Sequence, residues 1–460
     1  MATILPVELL HSLKQVKGFE EDAFKRVHQS GEQITSVRVN PAKPVDPDFF
    51  FDTGDKVPWS SYGYYLAERP SFTLDPLLHA GAYYVQEASS MFLEQCLAQA
   101  ADLSAPLKIL DLCAAPGGKS TLIQSMISNE SLLVSNEVIK TRVNVLSENM
   151  AKWGGSNNII TSNDPRDFKR LENYFDVLVI DAPCSGSGLF RRDVSAIEEW
   201  SPQAVNLCNQ RQRRILADAW PSLKKNGLLI YSTCSYSAEE DEAIADWLGE
   251  QFNVATVPIA VSPSWNIIET ISPIKQARGY RFFPDKLKGE GLYISCFRKQ
   301  DGGESASLHY KKNKWATVTA KDESSLRSWL KHTDEFHLYY QEKEIFAFPA
   351  AMEQELITIG MNLYLKKAGI RIGKMAQQDL IPAHELALSD LTGDKIVVIA
   401  LKKEQALQYL RKEEVNITTS HRGWALVQYA GINLGWVKVL ANRSNNYYPK
   451  EWRILKSGNN

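Results

Sequence analysis

Two short segments carry cysteine where a chain could use it for chemistry: Asp181-Ala-Pro-Cys-Ser-Gly-Ser-Gly188 and Ser232-Thr-Cys-Ser235. A thiolate is a strong nucleophile, and a free thiol near pKa 8.5 is only partly ionised at neutral pH, so such a site must favour the anion. Thiolate chemistry suits one problem in particular. The carbon 5 atom of a pyrimidine is a poor nucleophile, but a thiolate adding to carbon 6 makes carbon 5 enamine-like and able to accept a methyl group. A second group must then remove the carbon 5 proton so that the adduct eliminates. A third segment, Asp111-Leu-Cys-Ala-Ala-Pro-Gly-Gly-Lys-Ser120, is a Gly-rich turn. It ends like a phosphate-binding P-loop, but Cys113 stands where that loop needs its first Gly and Pro116 would stiffen it. It also lacks Gly-x-Gly-x-x-Gly. What it offers is free backbone amides and a helix dipole for an anionic group such as an amino-acid carboxylate. Glu137 is placed to accept from ribose hydroxyls and Asp164 to sit beside a purine. An adenosine with an amino-acid tail is S-adenosylmethionine, the cofactor expected here.

These segments fall at the ends of expected strands. Leu107–Cys113, Leu132–Glu137, Asn158–Ser162, Val177–Asp181 and Gly227–Cys234 read as buried strands. Between them lie helices starting near Lys119, presenting Val143, Leu146, Met150 and Trp153 on one face, and spanning 202–223. Ser237-Ala-Glu-Glu240 reads as a capping box opening a helix with Ile244, Trp247 and Leu248 inward. Alternating strands and helices predict an α/β, Rossmann-like, doubly wound parallel sheet, in which ligands bind beyond the carboxyl ends of the strands. The remaining organisation expected is a small α+β unit (1–78), the methyltransferase-like unit (79–300), a linker and middle α+β unit (301–389) and a β-rich, barrel-like end (390–460). A helical run over 84–101 precedes the first central strand, turn-rich sequence surrounds Pro41, Pro44, Pro47, Pro58 and Pro70, and Asp301–Ser307 is a polar linker.

With 460 residues, 44% apolar and 23% charged, the chain has the composition of a folded multidomain protein. Mean hydropathy is −0.28, no apolar stretch approaches a spanning helix, and the first residues lack a secretion signal, so membrane and secreted classes are not expected. Six cysteines, none in Cys-x-x-Cys spacing, read as free thiols in a reducing cytoplasm without a metal site. Cys96, Cys208 and Cys296 are expected to be structural, and so is Cys113, as strand-end backbone. The net charge of −2 hides an asymmetry: 361–460 holds 15 Lys/Arg against 8 Asp/Glu. Within 421–460, six basic residues face one acidic residue among Trp424, Trp436, Tyr447, Tyr448 and Trp452. That pattern suits a polyanion such as RNA, with most of the aromatics filling a barrel core. Arg38, Asn40 and the Arg191-Arg192 pair are candidate clamps on an RNA backbone.

Together the segments resemble the RNA 5-methylcytosine methyltransferases. The likeness rests on Cys113–Lys119, Asp181-Ala-Pro-Cys-Ser-Gly and Ser232-Thr-Cys-Ser, with Gly81-Ala-Tyr-Tyr-Val-Gln-Glu-Ala-Ser89, Gly279-Tyr-Arg-Phe-Phe-Pro284 and Gly289-Glu-Gly291 as further landmarks. His421-Arg-Gly-Trp424, Leu434-Gly-Trp436 and Asn446-Tyr-Tyr-Pro449 are similar to the PUA-like tail of the bacterial small-subunit branch, the RsmF type. The resemblance implies S-adenosylmethionine held by Cys113, Ala114, Ala115, Pro116, Gly117, Gly118, Lys119, Glu137, Asp164 and Asp181. It also implies catalysis by Cys234, Cys184 and Asp181 on small-subunit ribosomal RNA; a monomer with no metal and no membrane partner is the separate expectation. Lys119 would orient the loop or touch substrate. DNA cytosine methyltransferases use a Pro-Cys cysteine as nucleophile, which would be Cys184; residue chemistry leaves the choice open, and the family pattern favours Cys234. The chain departs from the family at Pro41, at Asp241 where Asn is common, and at Lys225-Asn-Gly. Transfer RNA as substrate and a catalytically idle rRNA-binding assembly factor are the alternatives; a protein-amide methyltransferase would carry Asn-Pro-Pro-Tyr in place of Asp181-Ala-Pro-Cys.

Overall fold

The computed structural model describes residues 5–46, 53–303, 315–377 and 379–456. Residues 1–4, Pro47, residues 304–307 of the expected linker and the last four residues lie outside them.

Four sheets organise these residues. The central sheet contains the parallel strands β5 (Lys108–Asp111), β6 (Leu132–Asn136), β7 (Asn158–Thr161), β8 (Phe175–Asp181) and β9 (Leu223–Thr233), in the order β9-β8-β5-β6-β7. The order reverses between β5 and β8, and that switch point is where a doubly wound sheet opens a crevice for ligands. Successive residues point to opposite faces, and both faces are apolar. Leu110, Val134, Leu178 and Leu229 pack with Ile215 and Leu216 on one side. Ile109, Leu133, Val177 and Ile230 pack with Leu97, Leu122 and Leu146 on the other. Burial on both faces explains why the sequence reads as continuous apolar runs.

Beyond β9 the sheet turns antiparallel through β11 (Ile268–Ile271), β12 (Arg278–Phe282) and β13 (Leu292–Lys299). At the other edge β17 (Leu365–Ala368), from the segment expected to form a middle unit, pairs antiparallel with β7. The smaller sheets comprise a four-stranded sheet in which β1 (Thr35–Val39) lies inside with a neighbour on each side, a five-stranded sheet from the middle segment, and a C-terminal sheet in which β21 (Gly423–Tyr429) pairs with β22 (Ile432–Val439).

Two local readings change. The run over 84–101 divides into a strand (Tyr83–Val85), a 3-10 turn (Ser89–Phe92) and a helix (Leu93–Ala100). The capping box at Ser237 does not form: the helix spans Glu242–Gln251, the Ser237 hydroxyl is buried with no partner among the described residues, and Glu240 turns inward. Ile244 and Leu248 are buried as expected, with Trp247 packed at the margin.

Candidate active site at the strand ends

β8 ends at Asp181 and β9 at Thr233, and the two strands are register partners there, Asp181 opposite Ser232. The loops that follow therefore leave side by side, and the Ala182 amide donates to the Ser232 carbonyl at 2.8 Å. This brings the cysteines together: Cys184 Sγ lies 3.1 Å from Cys234 Sγ. Both are free thiols and half-buried. The loops touch closely enough to need glycine, because a Cβ on Gly188 would lie 2.7 Å from the carbonyl oxygens of both Cys234 and Gly291.

Charge is arranged around the pair. Lys119 Nζ reaches Asp181 Oδ2 at 2.7 Å, and the Ser232 hydroxyl donates to Asp181 Oδ1 at 2.8 Å. Burial works against the Lys119 charge, yet Asp181 holds the ammonium above its ordinary value, aided by Asp111 and a Cys234 thiolate. The hydrogen bond to Cys234, burial and the charge of Cys234 keep the Cys184 thiol well above the usual thiol range. Cys184 is thus harder to ionise than an ordinary thiol.

The Gly-rich turn leaves β5 between these groups. It contains a cis Ala115–Pro116 peptide and Gly117 at φ +116°, which favours glycine. The helix Gly118–Met126 then begins with no side-chain cap, which leaves its first amides available to an anionic group. Ser120 donates to Asp111 Oδ2 at 2.6 Å, while Asp111 Oδ1 is buried with no partner among the described residues; burial pushes this carboxyl up to about 7. Burial likewise pushes the Cys113 thiol up. Ala114 and Ala115 are buried and Pro116 is exposed. Glu137, beyond β6, accepts from the Ile139 amide at 2.9 Å and meets Arg142 at 3.4 Å, and Arg142 also donates to the Ala115 carbonyl. Asp164, beyond β7, caps a 3-10 turn by accepting from the Arg166 amide at 3.1 Å and stays partly exposed. Uncapped amides at one end, an orphaned carboxylate oxygen beside them and two further carboxylates along the strand ends form a donor set that fits a nucleoside carrying an amino acid.

Other expected residues belong elsewhere. Cys96 and Cys296 are fully buried and Cys208 sits half-buried on the helix Pro202–Ala219. Arg38 and Asn40 are not surface clamps. Both are 1% exposed: Arg38 donates to Gln86 and Thr121, and Asn40 to the carbonyls of Gly81 and Trp153, so they fasten the N-terminal sheet to the central unit. Arg191 is likewise turned in, against Glu290 and the Glu32 carbonyl, while Arg192 is exposed. In the C-terminal sheet Trp436 and Tyr448 are fully buried, and Trp424, Tyr447 and Trp452 pack at the margins of the cores. Arg422, Arg443, Lys450, Arg453 and Lys456 remain exposed.

Comparison with known proteins agrees with this architecture. Residues 99–298 match the family described as 16S rRNA methyltransferase RsmB/F. Residues 5–88 match the N-terminal domain of 16S rRNA methyltransferase RsmF, and 396–454 match the methyltransferase RsmF PUA domain. The chain is 30% identical over 444 residues to the ribosomal RNA small subunit methyltransferase F of Aliivibrio fischeri (strain MJ11), covering 92% of each. It is 29% identical over 442 residues to the enzyme of the same name from Klebsiella pneumoniae (strain 342), covering 90% of this chain and 89% of the relative. Among solved structures, a methyltransferase homolog protein from Pyrococcus horikoshii superposes with a TM-score of 0.51 at 26% identity, over 64% of this chain and all of the other. NSun6 from the same organism, solved with SFG, superposes with a TM-score of 0.53 at 18% identity, over 65% and 99%.

Proposed function

The chain belongs to the ribosomal RNA small subunit methyltransferase F family, and on that premise we propose that it methylates carbon 5 of a cytosine, with Cys234 as nucleophile and Cys184 as the group that frees the product. It is an S-adenosylmethionine-dependent rRNA methyltransferase. The observation that carries the mechanistic reading is the 3.1 Å contact between the two thiols beside the Lys119–Asp181 pair.

When bound, S-adenosylmethionine supplies an electrophilic methyl group. The residues to hold it are Cys113, Ala114, Ala115, Pro116, Gly117, Gly118 and Lys119 in the turn, with Glu137, Asp164 and Asp181 at the neighbouring strand ends. The target base must leave its stack to reach Cys234, because carbon 6 is attacked from the ring face. Cys234 sulfur bonds to carbon 6, and the electron pair of the 5,6 double bond is delivered to carbon 5, which takes the methyl group. Cys184, deprotonated by then, takes the carbon 5 proton, the electron pair of that carbon–hydrogen bond re-forms the 5,6 double bond, and the carbon–sulfur bond breaks to restore the Cys234 thiolate.

The pair's electrostatics explain how Cys184 can serve that last step. Two of the three main causes holding a proton on Cys184 come from Cys234, its hydrogen bond and its charge. Bonding Cys234 to carbon 6 removes its charge from beside Cys184, which eases deprotonation of Cys184 once the adduct exists. Lys119 and Asp181 orient the loop and the base. On this reading the protein acts as a monomer that works without a metal. We assign chemistry to residues 79–300, RNA holding to 1–78 and 390–460, and support of the sheet edge to 301–389, in a cytoplasm that keeps the thiols reduced.

The test compares Cys184→Ala with Cys234→Ala, each mixed with small-subunit rRNA and S-adenosylmethionine and resolved on a denaturing gel. Cys184→Ala is expected to accumulate a covalent RNA adduct and Cys234→Ala none. The reverse pattern would make Cys184 the nucleophile.

A further inference from the structure

One buried carboxylate lies behind both cysteines. Glu240 is 0% exposed, and its side chain accepts from the Ser185 amide at 2.9 Å and from the hydroxyls of Ser185 and Ser235, the latter at 2.6 Å. Ser185 follows Cys184 and Ser235 follows Cys234. A fourth donor, Gln212 Nε2, reaches Glu240 Oε1 at 3.1 Å and also the carbonyl of Pro183, the residue before Cys184, at 3.1 Å. Glu240 is itself anchored to the strand that ends in the second cysteine segment, because the Tyr231 hydroxyl donates to its carbonyl at 2.7 Å. Next to it, Asp241 accepts from Thr233 at 2.9 Å and pairs with Arg281, also at 2.9 Å.

From this convergence we infer that Glu240 is a positioning residue: one carboxylate clamps the loops of both cysteines and sets the separation of the two thiols. The inference rests on the roles given above to Cys234 and Cys184. A carboxylate is suited to the task because it is acceptor-only and can take four donors, so both loops close onto a single fixed point. Parallel pairing of β8 and β9 brings the loops out side by side, but their facing is set by what they are tied to. The clamp has two separable arms. The Ser235 arm holds the sulfur that must meet carbon 6, and the Ser185 arm holds the one that must be near carbon 5 after transfer. Each arm should therefore govern its own step.

The test measures adduct formation and adduct release separately, along with S-adenosylmethionine binding by calorimetry. Glu240→Gln keeps the shape but turns two donors toward the incoming hydroxyls and amides. It is expected to lower kcat about tenfold to a hundredfold, the scale for misplacing a reacting group by about 1 Å, with the KM for RNA and cofactor binding unchanged. In a Cys184→Ala background, Ser235→Ala is expected to slow adduct formation and Ser185→Ala to leave it unchanged. With both cysteines present, Ser185→Ala is expected to let adduct accumulate. A merely structural role would weaken all of these together. Adduct formation at the parental rate in Cys184→Ala/Glu240→Gln would overturn the inference, as would equal slowing of both steps by either serine variant. Absence of any adduct in Cys184→Ala itself would count against the nucleophile assignment instead. If Glu240→Gln loses cofactor binding, the two serine variants decide.

Discussion

Arg38 offers a quantitative test, because its sequence and its structural setting predict different behaviour. As a phosphate clamp it would contribute to RNA affinity; as a buried tether it contributes to stability. Its Nε donates to Gln86 at 2.7 Å and its Nη2 to Thr121 Oγ1 at 2.6 Å, with the guanidinium 4.6 Å from the Trp153 ring. Hydrogen bonds from a charged group contribute about 1.5–3 kcal/mol each. Desolvation takes part of this back, since burial pushes the Arg38 guanidinium down to about 9. Arg38→Met keeps the stem, removes the donors and leaves Gln86 and Thr121 with unfilled acceptors. The net loss should be about 3 kcal/mol, which lowers Tm by about 6–12 °C for a cooperative unit of this size. Thermal melts and rRNA affinity across a salt series check both sides. The tether predicts the lower Tm with an unchanged slope of log affinity against log salt. An unchanged Tm with a slope shallower by about 0.7–0.9, the signature of a cation that neutralises a single phosphate, would refute it.

Acid should destabilise the fold through its buried histidines. Burial holds His28 and His79 at about 4 and His384 at about 3. The native state therefore binds fewer protons than the unfolded chain, whose histidines titrate near 6.5, and stability is lost as pH falls through that value toward 4. Each histidine costs about 2 kcal/mol by pH 5. Because the raised Asp111 and Glu290 carboxyls gain stability over the same range, the check is His384→Gln, whose urea midpoint should fall less than that of the wild-type protein between pH 7 and pH 5, and an equal fall would contradict this. Gly188→Ala forces a Cβ against the carbonyls of Cys234 and Gly291. It should lower kcat about a hundredfold while S-adenosylmethionine still binds, and a wild-type kcat would show that the loops do not need this close approach.

Much of the site was legible because a doubly wound sheet makes strand ends into ligand positions. The runs before Asp111, Glu137, Asp164 and Asp181 and before the Thr233-Cys234 pair announced five parallel strands, and unusual residues at their ends could only converge. What stayed hidden depends on partners remote in sequence. Glu240 reads locally as the last residue of a capping box, and nothing in its neighbours says that it turns toward Ser185, 55 positions away. Arg38 is 83 positions from Thr121, and a basic residue on a strand looks the same whether its strand faces water or a helix. β17 falls within the segment read as a middle α+β unit, and only tertiary packing assigns it to the edge beside β7. Asp241 is buried against Arg281, 40 positions on, which also pairs with Glu242.

Methylation at carbon 5 must expel the hydrogen that carbon carried. The most direct measurement therefore uses small-subunit rRNA tritiated at cytosine carbon 5 and follows tritium release against methyl incorporation. The two should run one to one in the wild-type protein, and both should vanish in Cys234→Ala. Methyl incorporation with the tritium retained would place the methyl group on another atom and contradict the thiolate mechanism.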